Sequence, residues 1–361
     1  MGMPPSGFDA YPVIRFRDCT LVKYVDCWGV GATQEWPRDT NKPMKLFNSG
    51  NRSIAQNVMG CLSSIAIAAT AVTLSSCGDK EEKAVDGGGG DSAGKSLVIT
   101  AIPDEKVSDQ EAKFKALQDF LAKELEIDVS FSISADYTAA VERFKNGEVH
   151  LVWFGGLTGV QARKAVPGAR AIAQGDVDPQ YKSYFIAHKS TGLAKGDTFP
   201  EAIKDMTFTF GSKSSTSGRL MPTYFIMKET GKSPEDYFSK PVQFQATGGH
   251  DATARAVASG SVQVGALSYK KYDSMIADGE IKAEDAPIIW QTPYYADYNL
   301  TAHPALEGMF GEGFIDKLQK ALVDCEDEAV LKAFNRDDLI PAKNEEFEGI
   351  YEVAKEVGIM R

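Results

Sequence analysis

Cysteine and histidine are scarce in this sequence, which limits the chemistry that the chain can support. The 361 residues include five cysteines and four histidines. No two cysteines form a CxxC pair, and the histidines lack the spacing of metal ligands; they are His150, His188, His250 and His303. We therefore expect no metal site, and no pattern in the sequence indicates a cofactor.

An excess of basic residues is also missing. The chain has 39 Lys and Arg against 50 Asp and Glu, so its formal net charge is -11. Nucleic-acid phosphates favour a basic surface, so we expect no nucleic-acid partner. Any site for a small anion must be local and built from amides and hydroxyls.

A hydroxyl-rich turn has the composition of such a site. It reads Gly211-Ser-Lys-Ser-Ser-Thr-Ser-Gly218, follows an alternating strand-like run at 207–210 and precedes an apolar-periodic segment. A strand, a turn and a helix in this order direct backbone N–H groups and a positive helix end into one small volume. The hydroxyls of Ser214, Ser215, Thr216 and Ser217 could add donors around a compact anion. An ordinary Ser/Thr helix cap is the alternative interpretation.

Strands and helices alternate through most of the chain, in the pattern of a doubly wound α/β fold. Strands are predicted at 96–101, 129–133, 149–154, 207–210, 241–245 and 262–267, and helices at 112–125, 139–146 and 250–259. An offset of 113 residues places Gly147 on Gly260 and Tyr137 on His250. This repetition favours two lobes of similar topology, with Tyr137 and His250 facing each other across a cleft. A chance match is the alternative.

Residues 44–95 have the pattern of a bacterial lipoprotein export signal. A short basic region that includes Lys45 and Arg52 precedes the uncharged run 61–74, which is too short to span a bilayer. The run ends in Leu-Ser-Ser-Cys77-Gly, which resembles a lipobox, and a charged, Gly-rich stretch follows. We expect a signal peptide at 44–76, a lipid on Cys77 and a flexible tether at 77–95. An uncleaved anchor helix is the alternative.

The segment 1–43 does not fit this pattern, because a signal peptide acts from the N-terminus. We expect a non-native or mis-annotated extension, with translation beginning at Met44; a real extension of unknown role is the alternative. Cleavage before Cys77 leaves Cys325 as the second cysteine of the mature chain. Since Cys77 would carry lipid, no structural disulfide is expected.

From Leu97 to its C-terminus the chain resembles the substrate-binding proteins of ABC importers for phosphonate, phosphite and phosphate. The resemblance rests on Asp136-Tyr137, Trp153-Phe-Gly-Gly156, Ser214-Ser-Thr-Ser-Gly218 with Pro222, Gly249-His-Asp251 and Gly265-Ala266. Within the family it is most similar to a branch described as selenate-binding, through 102–105, 153–162, 211–222, Tyr294-Tyr295 and Asp297-Tyr-Asn299.

This resemblance implies a periplasmic-binding-protein-like α/β fold with two doubly wound lobes, a hinge and a ligand cleft between them. Lobe 1 would comprise 97–190 plus 292–361, and lobe 2 would comprise 195–290. The residues implied to contact the oxyanion are Tyr137, Ser215, Thr216, Ser217 and His250. An ABC permease and its ATPase subunits are the implied partners.

Two positions depart from the family pattern. Many relatives carry Tyr at the position of Gly159, and many carry Asp where this chain reads Ser268. A serine oxygen accepts a hydrogen bond without negative charge, so Ser268 repels a fully ionised dianion less than a carboxylate does. We therefore expect Ser268 in the site and a preference for a ligand such as selenate or sulfate over aminoalkylphosphonates.

Other residues are weaker candidates. A protonated His250 would supply a charge-assisted hydrogen bond to the anion. Trp153, Tyr294 and Tyr298 are candidate cleft walls, although ordinary packing explains them nearly as well.

Enzyme motifs are missing from the sequence. It has neither the G-x-S-x-G elbow nor the P-loop spacing, and Asp251 next to His250 could not orient it as a triad acid does. We predict a non-enzymatic lipoprotein on the periplasmic or outer face of the bacterial cytoplasmic membrane. It would capture a tetrahedral oxyanion of the phosphonate, phosphite and phosphate class, with selenate as a further candidate, in the interlobe cleft and deliver it to the permease. The alternative is an enzyme on the same two-lobed fold acting on a phosphorylated or anionic small molecule.

Overall fold

The computed structural model describes residues 95–245 and 249–361. The predicted extension 1–43, the signal peptide, Cys77 and the tether up to residue 94 lie outside the described residues. In the described part, no helix is both long enough and apolar enough to cross a bilayer.

Eleven strands and eleven α-helices follow one another in the described residues. The strands are β1 (Ser96–Ala101), β2 (Asp128–Phe131), β3 (Leu151–Phe154), β4 (Arg170–Gly175), β5 (Ser183–Ala187), β6 (Phe208–Phe210), β7 (Gln243–Phe244), β8 (Val264–Ser268), β9 (Ile288–Gln291), β10 (Asn299–Ala302) and β11 (Leu339–Pro341). The helices are α1 (Val107–Leu125), α2 (Tyr137–Lys145), α3 (Gly156–Ala165), α4 (Met221–Thr230), α5 (Pro234–Tyr237), α6 (Gly249–Ala258), α7 (Tyr269–Ala277), α8 (Ala305–Phe310), α9 (Phe314–Val323), α10 (Glu328–Phe334) and α11 (Glu348–Glu356).

The strands form two sheets, each the centre of one lobe. The sheet of the first lobe has the order β11-β4-β10-β3-β1-β2, and that of the second lobe has the order β7-β6-β8-β5-β9. Strands β1 to β3 pair in parallel, as do β6 to β8, while β10 and β5 run antiparallel to their neighbours. The predicted α/β class with two lobes is confirmed, and both sheets are mixed rather than purely parallel.

The chain passes between the lobes at two places, after β4 and after β9. There Tyr181 and Tyr295 exchange backbone hydrogen bonds of 2.8 and 2.9 Å, and the Asp297 N–H donates to the Asp178 carbonyl at 3.1 Å. The crossing segments therefore run antiparallel as a short ladder, which we call the hinge. Because Asp297 lies on this ladder, its position is tied to both crossings.

The hydroxyl-rich turn does not lead directly into an α-helix. A π-helical turn at Thr216–Leu220 intervenes, with a Leu220 N–H to Ser215 carbonyl bond of 2.9 Å, and α4 begins only at Met221. Single π-helical turns occur often at functional sites, because they displace a helix end from its regular course. The predicted strand–turn–helix order is confirmed, with this extra turn at the helix start.

Candidate anion-binding site

The hydroxyl-rich turn lies in the second lobe, where its three central hydroxyls are buried. Ser215, Thr216 and Ser217 are each at most 2% exposed. The Ser215 Oγ accepts the Gly218 N–H at 2.9 Å, so Ser215 acts as the N-cap. The Thr216 and Ser217 hydroxyls are therefore not needed for the helix cap.

The start of helix α3, from the first lobe, meets this turn across the cleft. The Leu157 N–H donates to the Thr216 Oγ1 at 3.0 Å, and the preceding Gly156 N–H donates to the Asp297 Oδ1 at 2.9 Å. A Cβ at Gly155 would lie 3.0 Å from the Thr216 Oγ1 and 3.3 Å from the Asp297 Oδ1. Glycine at residue 155 therefore allows the hinge, the turn and the α3 N-terminus to meet. The N-termini of α3 and of the π-helical turn point into the same volume.

Asp297 is the unexpected member of this group. It is 1% exposed, and its Oδ2 has no hydrogen-bond partner among the residues that the structure describes. Burial raises the pKa of its carboxyl to about 7, against the opposing effect of the Gly156 N–H. Near neutral pH this carboxyl can therefore accept a proton from a neighbour or donate one to it.

His250 lies at the start of α6 with its ring between two serines. The ring Nδ1 accepts the Ser268 N–H at 3.2 Å, and Nε2 lies 3.4 Å from the Ser217 Oγ. Because Nδ1 is an acceptor, the ring hydrogen is assigned to Nε2, on the side of the hydroxyl turn. Burial, reinforced by the charge of Lys271, lowers the pKa of His250 to about 3. The ring is therefore neutral near pH 7 and donates through Nε2–H, so the charge-assisted hydrogen bond that a protonated His250 would supply does not form.

Tyr137 begins α2, whose N-cap is Asp136 through a 2.7 Å bond to the Ala139 N–H. Its hydroxyl is buried and has no partner within the described part of the chain. Burial raises the pKa of Tyr137 well above its usual value, and the carboxylates of Asp104 and Asp297 add to this effect. The hydroxyl therefore keeps its proton near neutral pH and is a donor near Asp104 and Asp297.

A second group of hydroxyl-bearing residues contacts the hydroxyl-rich turn and His250. The Ser183 Oγ donates to the Ser217 carbonyl at 2.7 Å and lies 2.5 Å from the Tyr295 hydroxyl. The Ser268 Oγ is bonded to the Tyr181 hydroxyl and accepts the Lys271 N–H at 3.3 Å. In this arrangement Ser268 contacts His250 and Tyr181, and a direct contact with the anion stays a prediction.

The remaining candidates lie further out. Ser214 is half-buried and lies 3.4 Å from the Thr138 hydroxyl of the other lobe. The ring of Tyr294 is 62% exposed and lies under the Lys182 Nζ, so it does not join the cleft residues. Trp153 and Tyr298 stack with ring centroids 5.3 Å apart, and the Tyr298 hydroxyl donates to the Asp104 Oδ2 at 2.9 Å.

The chemistry of this site is that of an anion receptor. Neutral donors come from both lobes, and the buried carboxyl of Asp297 can exchange one proton with whatever they hold. Uncharged hydrogen-bond donors that face one enclosed volume suit a compact oxyanion that is shielded from water.

Comparisons with known proteins agree with this chemistry. Residues 99–347 match the family described as "ABC transporter, phosphonate, periplasmic substrate-binding protein". The chain belongs to this family.

Two relatives show how near the match is. A probable ABC transporter phosphite binding protein, PhnD1 of Prochlorococcus marinus (strain MIT 9301), is 34% identical over 274 residues, which are 74% of this chain and 91% of the relative. The solved structure of PhnD1 from the same organism, in complex with methylphosphonate, superposes with a TM-score of 0.69 at 33% identity and covers 74% of this chain and 99% of that one. The phosphate-import protein PhnD of Mycolicibacterium smegmatis is 29% identical and covers 62% of this chain and 70% of the relative.

Membership in the family decides several predictions. The chain is an exported, periplasmic substrate-binding protein of an ABC transporter and not an enzyme. The predicted partners, a small phosphonate-type ligand and an ABC permease, agree with this. The selenate branch and the lipid anchor are finer predictions that family membership does not include.

Two parts of the site were not predicted from the sequence, Asp297 and the N-terminus of α3. Asp297 entered only through the family resemblance, and Gly155-Gly156 only as a sequence pattern. Both parts depend on a contact between residues that are 141 positions apart. A glycine pair directly after a buried strand was the available signal, because it allows close backbone approach at a helix start.

Proposed function

We propose that this protein captures a compact phosphorus oxyanion that carries one proton, such as phosphite or methylphosphonate, and delivers it to its permease. The observation that carries the proposal is the buried Asp297 carboxyl, whose Oδ2 has no hydrogen-bond partner among the described residues although the hydroxyls of Thr216 and Ser217 lie near the carboxyl. An ionised carboxylate there would accept the ligand's P–OH hydrogen bond. The ligand and Asp297 would thus share one proton inside the cleft.

This proton distinguishes the proposed ligand from selenate. Selenate and sulfate carry no proton near neutral pH, so they would bind only if Asp297 supplied one. Since the pKa of Asp297 is raised to about 7, the protonated carboxyl becomes rarer as the pH rises above 7. The expectation from Ser268, a preference for selenate or sulfate, is therefore opposed by a carboxylate on another element.

Thermal shift and calorimetry across phosphite, methylphosphonate, phosphate, sulfate and selenate test the proposal. We expect phosphite or methylphosphonate to raise the melting temperature most at pH 7, because a ligand that binds only the folded state stabilises it. We also expect any selenate affinity to fall about tenfold per pH unit above pH 7, as one required proton is lost. Equal binding of selenate at pH 6 and pH 8 would contradict the assigned role of Asp297.

We further propose that the mature chain is held on the membrane by a lipid on Cys77. The support is the lipobox-like Leu74-Ser-Ser-Cys77 and the Gly-rich stretch 87–90 after it. We expect Cys77→Ser to move the protein from the membrane fraction to the soluble periplasmic or culture fraction. Cys325→Ser is the matched control and should leave the distribution unchanged. Retention of the Cys77→Ser variant at the wild-type level would refute the anchor.

The lobe limits predicted from the sequence also stand as a proposal. They are supported by the sheets, because the strands of the first lobe lie within 96–175 and 299–341, and those of the second within 183–291. The Leu157 N–H to Thr216 Oγ1 bond between the lobes supports closure about the hinge, which would exclude water from the anion.

A further inference from the structure

We propose that Glu105 and Lys271 form an ion pair between the two lobes that holds the closed form and slows the release of the bound anion. We call this pair the latch. The inference rests on the proposed function, because it concerns how long a captured ligand stays in the cleft. Neither residue belongs to the group proposed to contact the oxyanion.

The two residues follow strands of opposite sheets. Glu105 lies in the connection between β1 and α1, and Lys271 lies in the first turn of α7, directly after β8. The helix cap fixes the backbone of Lys271, because the Ser268 Oγ accepts its N–H at 3.3 Å. The carboxyl ends of strands in open α/β sheets face the ligand crevice, so both residues are placed at the cleft.

The Glu105 carboxylate accepts two ammonium groups on one oxygen. Its Oε2 accepts the Lys113 Nζ at 2.7 Å from α1 of the same lobe, and it also accepts the Lys271 Nζ from the other lobe. The side chains of Glu105 and Lys271 are 9% and 16% exposed, against 36% for Lys113. Of the salt bridges within residues 95–245 and 249–361, the Glu105–Lys271 pair is the one that joins the two lobes.

Lys271 stays charged in this position. Burial lowers the pKa of its ammonium, but the charges of Glu105 and Asp104 more than offset this effect, so the pKa lies above its ordinary value. Acidic residues of the opposite lobe therefore stabilise the charged lysine, and this stabilisation is lost when the lobes separate. Because neither Glu105 nor Lys271 is completely buried, removing the two charges from water costs less than it would in a protein interior.

Backbone contacts hold the lobes close together beside the latch. The His250 N–H of α6 donates to the Asp104 carbonyl at 3.2 Å. Gly249 approaches the same carbonyl with a φ of +49°, and a Cβ there would lie 2.5 Å from the Asp104 oxygen. A side chain at residue 249 would prevent this contact. The Asn335 Nδ2 of the first lobe also donates to the Lys270 carbonyl of the second at 3.3 Å. The latch therefore lies within a lobe–lobe contact.

The sign of one result separates the latch from a direct effect of charge on the ligand. Removing the negative charge of Glu105 would by itself favour an anion bound nearby. If Glu105 acts through lobe closure, the same change weakens binding. Glu105→Gln tests this directly, because glutamine keeps nearly the shape of glutamate and loses only its charge.

Calorimetry with phosphite and methylphosphonate measures the effect. We expect Glu105→Gln and Lys271→Met each to weaken both ligands by about tenfold or more and by the same factor, because a charged hydrogen bond across the closed cleft is lost. The loss should appear in the dissociation rate constant, measured by stopped flow, since the latch forms only when the ligand is enclosed. The double variant Glu105→Gln/Lys271→Met should bind no more weakly than the weaker single variant, because the pair can be lost only once.

Lys113→Met is the matched control. It removes a cation from the same carboxylate oxygen, but that bond lies within one lobe and does not depend on closure. We expect both affinities to stay within about threefold of the wild-type values, as for a partly exposed ion pair.

Each outcome decides the proposal. Weaker binding in both single variants, a double variant no weaker than these and a control near the wild type support it. Equal or tighter binding by Glu105→Gln, additive losses in the double variant, or equal losses in Lys113→Met and Lys271→Met overturn it while the proposed function stands. Glu105→Gln tests the latch even if Lys271→Met does not fold. Failure of the wild-type protein to bind either ligand overturns the proposed function and the latch with it.

Discussion

Replacing Thr216 and Ser217 together by alanine should reduce affinity for the cognate oxyanion by at least 100-fold. Both hydroxyls are buried, and neither serves as the helix cap, which is Ser215. Each hydrogen bond lost to a charged ligand costs about 1.5–3 kcal/mol, and the closed cleft offers no water to replace it. Thr216→Ala also removes the acceptor of the Leu157 N–H, so lobe closure is weakened as well.

Calorimetry on the purified protein measures this loss. Ser212→Ala is the matched control, because it removes a half-buried hydroxyl from the same turn without touching the buried group, and it should bind as the wild type does. The ligand-free melting temperature should change little in either variant. A double variant that keeps wild-type affinity would place the anion outside the hydroxyl-rich turn.

The parts of the site that local sequence patterns predicted are those whose geometry is local. The turn 211–218 has its glycines, its hydroxyls and its helix start within eight residues, so its conformation follows from short-range preferences. Tyr137 and His250 were found by the repeated helix–glycine–strand pattern. Both residues lie in the first turns of their helices, α2 and α6, as the offset of 113 residues predicted.

The charge state of His250 could not be read from the sequence. Its residue type predicts a group that titrates near neutral pH, and a cation beside an anion is the natural expectation. Burial at 1% exposure and the proximity of Lys271 reverse that expectation. Both are tertiary facts, because the position of the ring depends on the packing of α6 between β8 and the loop at Asp104.

The role of Asp297 was hidden for the same reason. An aspartate after a Pro-Tyr-Tyr-Ala stretch is an ordinary hinge residue by composition. It enters the site because the antiparallel hinge ladder and the α3 N-terminus fix it from two sides, through the Asp178 carbonyl and the Gly156 N–H. This chain has Ser268 where many relatives carry a carboxylate, but Asp297 supplies a carboxylate to the site from another element.

Asp297→Asn should reverse the ligand preference of the protein. The side chains of Asp and Asn have nearly the same shape, and the Asn oxygen can still accept the Gly156 N–H. The Asn Nδ2 would then replace the carboxylate Oδ2 with a permanent donor. A protonated phosphite or methylphosphonate loses its acceptor and should bind about 10- to 100-fold more weakly, since a hydrogen bond to a charged group is worth about 1.5–3 kcal/mol. Selenate and sulfate gain a donor and no longer need a proton from the protein.

Ligand-free stability gives an independent measure of the same carboxyl. The folded-state pKa of Asp297, about 7, is raised above that of an unfolded aspartate, so the folded protein holds a proton that the unfolded chain has lost. This carboxyl therefore lowers the free energy of unfolding as the pH rises from about 4 to about 7, and that loss persists above pH 7. We expect Asp297→Asn to melt at a higher temperature than the wild type at pH 8, with a smaller difference at pH 4.

The ratio of the phosphite and selenate affinities at pH 7, measured by calorimetry, is the quantity that decides the role of Asp297. We expect it to fall by at least about 10-fold in Asp297→Asn, because the phosphite affinity falls while the selenate affinity does not. Asp176→Asn removes the same charge from an exposed position next to the hinge and should leave the ratio unchanged. If the Asp297→Asn ratio equals that of this control, Asp297 does not share a proton with the ligand. The preference between protonated and fully ionised oxyanions would then have to come from Ser268 or from the donors of the hydroxyl-rich turn.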